Sequence, residues 1–70
     1  MRYLVIIEKS DTGYAAYSPD LEGCVATGAT IDEVEETMRE AVEFHIDGLK
    51  ESGVEVPRPQ AYVTYVEVAA

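Results

Sequence analysis

Along residues 2–9, RYLVIIEK, apolar side chains fill both alternating sets. Tyr3, Val5 and Ile7 point one way, Leu4 and Ile6 the other. This pattern of β-branched and aromatic residues predicts a strand covered on both faces, central in its sheet. Ser10–Gly13 is a small polar run ending in glycine, and predicts a turn. YAAYS at 14–18 returns as a second strand, so 2–18 reads as a hairpin. Pro19 cannot donate to a ladder and Gly23 permits a sharp bend, so PDLEG at 19–23 breaks the pairing. CVAT at 24–27 is a short third strand, ended by Gly28.

From residue 31 the period changes. Ile31, Val34, Met38, Ala41, Val42, Ile46 and Leu49 recur at spacings of three and four, which predicts a helix over about 31–52 with one apolar stripe. Thr30 is placed as its N-cap, and Glu33 three residues later completes a capping box. Asp32, Glu33, Glu35 and Glu36 crowd the first turns, where the helix dipole favours negative charge. Gly53 follows as the C′ residue. VEVPRP is a stiff connector, and AYVTYVEV at 61–68 reads as a final strand.

The order is then βββαβ in a single α+β domain spanning 1–70. A right-handed crossover through the helix sets strands three and four parallel. The expected sheet order is 3-2-1-4, with the helix packed on one face. One helix covers only one face of four strands. Leu4, Ile6, Tyr17 and Tyr65 are candidates for the other, and a homodimer or larger homo-oligomer is expected to cover it.

Composition sharpens this. Fourteen acidic residues face 5 basic ones in 70, a net charge of −9. Direct nucleic-acid binding is disfavoured, because phosphates need Lys and Arg, and a basic protein is the complementary partner. The single cysteine allows no intrachain disulfide, and no Cys/His cluster offers a structural metal. No segment reads as a signal peptide or approaches the roughly 20 apolar residues of a membrane span. A cytoplasmic location, with a reduced thiol and no cofactor, is expected.

Eight of the acids lie on the helix: Asp32, Glu33, Glu35, Glu36, Glu40, Glu43, Asp47 and Glu51. Glu35 can support Arg39 at i,i+4, but Asp32–Glu36, Glu36–Glu40, Glu43–Asp47 and Asp47–Glu51 are like-charge pairs, each costing about 0.2–0.5 kcal/mol. The face is either a solvated surface that keeps the protein soluble or one tuned to a basic partner. Phe44, with Ala41 and Gly48, flanks the main stripe as a second contact surface.

No enzyme chemistry is expected. Cys24 sits in an apolar strand, as an inert core thiol would. His45 reads as a packed histidine within the apolar stripe. Two-metal nuclease chemistry needs three or four converging carboxylates, whereas the first strand carries only Glu8 and the fourth only Glu67. The tyrosines lack the Lys and Arg that would accompany an RNA-stacking sheet.

YSPDLEGCVATGATIDEVEETMREAVEFHIDGL, followed by VPRP, resembles the HicB-like antitoxin family. The matching elements are Pro19-Asp20-Leu21-x-Gly23-Cys24, Thr27-Gly28, the Thr30 cap with its acidic box, Glu40-Ala41 and Val56-Pro57. The likeness covers residues 3–66. It implies a partial RNase H-like fold without catalytic carboxylates, and an antitoxin that covers the active surface of a small basic RNA-cleaving toxin, HicA. Many members carry a C-terminal DNA-binding module; these 70 residues contain none, so operator binding is not expected. The alternative is a solitary self-associating module that binds a protein or small ligand. The residues expected to meet a partner, toxin or self, are Tyr17, Pro19, Asp20, Leu21, Glu22, Glu36, Glu40, Glu43, Phe44 and Asp47. Gly23, Gly28, Thr30, Glu33, His45 and Pro57 are expected to shape the scaffold.

Overall fold

Ile6–Ser10 (β1) and Gly13–Ser18 (β2) form a tight antiparallel hairpin, with Ile6 opposite Tyr17 and Ser10 opposite Gly13. Leu21–Gly28 (β3) pairs antiparallel with the far side of β2, from Tyr14–Gly28 to Tyr17–Val25. The computed structural model describes all residues, Met1–Ala70. The sheet has three strands in the order β1-β2-β3, and Ile31–Glu51 (α1) packs across one face, chiefly over β3.

The core lies between these two layers. Ala16, Leu21, Cys24 and Ala26 from the sheet meet Val34 and Met38 from α1, all buried. Tyr3, Val5 and Ile7 pack against this cluster with Tyr14, Ala41, Val42 and Ile46. The odd-numbered residues of the N-terminal segment therefore face the helix. Strict alternation would not bury both Leu21 and Cys24. The register slips after Tyr17, so that Ser18 pairs with Leu21, and Gly23 takes φ +80° within the slip. This bulge returns Cys24 to the buried face.

Two local devices hold α1 to the sheet. Thr30 caps the helix, its Oγ1 accepting the Glu33 N–H at 3.1 Å. Gly28 lets the strand end press against the first turn. A Cβ on Gly28 would lie 2.8 Å from the Val34 nitrogen and 3.0 Å from its Cα.

The expected four-stranded sheet is not formed. Residues 61–68 make no ladder, and the order 3-2-1-4 is corrected to three antiparallel strands. β2, not the first strand, is central, and the first strand begins at Ile6 rather than residue 2. The cause lies in the connector. Pro57 and Pro59 carry no N–H. The Pro57 carbonyl accepts the Tyr3 hydroxyl at 2.6 Å, and the Ala61 N–H donates to Asp20 Oδ2 at 3.2 Å. The chain thus leaves a pinned root and stands off the β1 side. A gap of about 430 Å³ remains between Leu4–Ile7 and Tyr62–Tyr65. The protruding segment stretches the molecule to 49 × 26 × 16 Å. Its radius of gyration is 13.8 Å, against roughly 11 Å for a compact domain of this size.

Candidate functional site

Three surfaces stand out, and they arise from different elements. The first is the outer side of α1. At 100° per residue, Glu33, Glu36, Glu40, Phe44, Asp47 and Glu51 fall on one stripe, away from Val34 and Met38. All six are exposed. Phe44 stands in the middle at 82 % exposure, framed by carboxylates. The one ion pair on the helix is Arg39 Nε to Glu36 Oε2, at 3.8 Å and largely in solvent; the expected Glu35 partner is not used. Such a pair contributes little, and the stripe keeps its negative field. Glu43 is exposed beside it, towards the groove between the N-terminal segment and the helix.

The second surface is the sheet face that α1 leaves bare. The register sets Ile6, Tyr17 and Val25 in one row across three strands, and Glu8, Ala15 and Thr27 in the next. Tyr17 and Val25 are exposed. The parity is now fixed: Ile6 and Tyr17 belong to the bare side. The third surface is the C-terminal segment itself. Tyr62 is 94 % exposed and Tyr65 92 %, with Val63, Val66 and Val68 also open to solvent.

The Pro19–Gly23 loop is mostly architecture. Leu21, expected to meet a partner, is 1 % exposed and lies in the core; the bulge at Gly23 turns it inward, so its side chain is not available to a partner. Asp20 is half-buried because it holds the Ala61 N–H. Pro19 and Glu22 remain exposed. No local pattern signals the Asp20–Ala61 and Tyr3–Pro57 ties, which join residues 41 and 54 positions apart.

Cys24 is buried, and burial pushes its thiol pKa up, which disfavours the thiolate that a nucleophile needs. His45 is half-buried on α1. Nowhere do three or more His, Cys, Asp or Glu side chains gather to hold a metal ion. The helix is not long and apolar enough to cross a membrane. Gly48 has nothing within 4 Å of a Cβ placed on it.

The profile of the HicB-like antitoxin of bacterial toxin-antitoxin systems matches residues 3–69. A 14.9 kDa protein of the rep-hol intergenic region of Haemophilus phage HP1 is 36 % identical over 66 residues, covering 94 % of this chain and 50 % of its own length. The chain thus spans half of that relative. UPF0150 proteins of Synechocystis and Thermoplasma acidophilum are each 37 % identical over 62 residues, covering 87 % of this chain and 78 % and 90 % of theirs. Among solved structures, a chain of the HicA3 and HicB3 toxin-antitoxin complex superposes with a TM-score of 0.72 at 32 % identity, over 84 % of this chain and 70 % of that one. With the profile spanning nearly every residue of the sheet, helix and C-terminal segment described above, the chain belongs to the HicB-like antitoxin family.

Proposed function

We propose that this chain binds a small basic RNA-cleaving toxin of the HicA type and silences it by covering its active surface, acting as a binding protein rather than an enzyme. The observation that carries this reading is the acidic stripe of α1 with Phe44 exposed at its centre. Carboxylates steer a basic partner and speed its approach. A desolvated aromatic anchor then supplies much of the affinity, as aromatics do at interface centres. Glu36, Glu40, Glu43 and Asp47 are the steering residues, and Phe44 is the anchor. The family membership and the superposition on the HicA3–HicB3 complex support a toxin as the partner. The reading places the protein in the cytoplasm, where such a toxin would meet RNA.

RNA cleavage by a HicA-type toxin encoded next to this chain tests the reading. Equimolar chain is expected to abolish cleavage, and rising salt to weaken the inhibition, because exposed charges are screened. Cleavage that proceeds unchanged with excess chain at low salt would refute it.

A further inference from the structure

We propose that Tyr62–Val68 of one copy of this chain packs onto the bare sheet face and outer β1 side of a second copy, with the reciprocal contact made at the same time. Both halves of this contact are present in one chain and neither is used there. The segment leaves its own Tyr17 and Val25 exposed, and carries five exposed large apolar side chains of its own. Its root is fixed, because Tyr3 holds Pro57 and Asp20 holds Ala61. The segment therefore starts from a fixed point and runs beside Leu4–Ile7 across a gap, without pairing with it.

Area favours a second copy as the occupant. A buried aromatic side chain covers about 150–250 Å², so Tyr62 and Tyr65 on two copies remove roughly 600–1,000 Å² between them. Six valines and the covered rows add to this. The sum passes the roughly 1,200 Å² at which specific protein interfaces begin. The surfaces are continuous, since the apolar gap along Leu4–Ile7 and Tyr62–Tyr65 adjoins the Ile6–Tyr17–Val25 row.

Charge permits the approach despite −9 on each copy. Of the outward positions in the two rows, only Glu8 is charged. The eight acids of α1 lie in the opposite layer. Two copies joined through their bare faces keep both helices outermost, separated by two sheet layers that are themselves about 10 Å apart. That separation exceeds the Debye length of about 8 Å at physiological salt. The α1 stripe also stays free for another partner.

Sedimentation and native mass spectrometry of the whole chain test this, with two variants, Tyr65→Asp in the segment and Val25→Asp on the face. Both positions are exposed, so circular dichroism should be unchanged. The wild-type chain is expected to be dimeric at low-micromolar concentration. Each variant alone should dimerise at least ~30-fold more weakly. Mixing the two variants should restore association, because the heterodimer keeps one contact between an unaltered segment and an unaltered face. A monomeric wild-type chain would overturn the proposal. So would a dimer that neither substitution weakens, or one that mixing does not rescue, since a face-to-face or segment-to-segment contact gains nothing from mixing.

Discussion

Residues 2–9, RYLVIIEK, and 61–68, AYVTYVEV, draw on the same stock of β-branched and aromatic residues, yet they meet different fates. The first supplies β1 and packs Tyr3, Val5 and Ile7 against the core. The second forms no ladder and leaves its tyrosines in solvent. Propensity does not separate them; what each can reach does. β1 is joined to β2 by a two-residue turn, so its partner lies immediately to hand. The later segment must return past a 21-residue helix and a proline connector, and its entry is pinned by Asp20 and Tyr3. Strand-like sequence declares a need for pairing and says nothing of whose edge meets it.

Substitutions on the two sides test that contrast. The largest effect is expected in the packed layer. Leu21→Ala or Met38→Ala should cost about 2–5 kcal/mol in chemical denaturation, since both side chains are essentially without solvent contact and each leaves a cavity. The matching change in the segment, Val66→Ala, should move the unfolding of an isolated chain by no more than about 0.5 kcal/mol. A comparable loss at Val66 in the monomer would mean that the segment packs against its own chain.

Gly28→Ala comes next, at about 1–3 kcal/mol, because its Cβ would press on the Val34 backbone. Asp20→Ala should cost about 1 kcal/mol through the lost Ala61 bond. Its more telling readout is proteolysis, with cleavage between residues 58 and 70 rising several-fold while the three-stranded body stays resistant. Gly48→Ala acts in the opposite direction. Nothing crowds that position, so the substitution should stabilise the helix by about 0.5–1 kcal/mol and raise the melting temperature slightly.

The body was legible because its signals are local. Thr30 with Glu33 marked the helix start, period-3.6 spacing gave its buried side, and the hairpin followed from a four-residue polar turn. Gly23 was legible as a bend, but not as the bulge that puts Leu21 and Cys24 on one face, which is why Leu21 was expected at a surface. The fourth strand failed for a different reason. A crossover rule ranks topologies for a chain free to close its sheet, whereas Asp20 and Tyr3 restrain this one through contacts that composition does not reveal. Of the candidate site, the acids of α1 and Phe44 were readable from helical spacing alone. The bare row Ile6–Tyr17–Val25 needed the observed register, because a one-residue slip exchanges the faces.

The two sides of the molecule thus have separate proposed tasks, with the toxin on α1 and a second copy of the chain on the bare face. Titrating unlabelled toxin into ¹⁵N-labelled chain, followed by amide chemical shifts, tests this most directly. The predicted result is shifts concentrated from Glu36 to Asp47, with Tyr62–Val68 unmoved. Shifts confined to Tyr62–Val68 and the Ile6–Tyr17–Val25 row, with α1 silent, would contradict it.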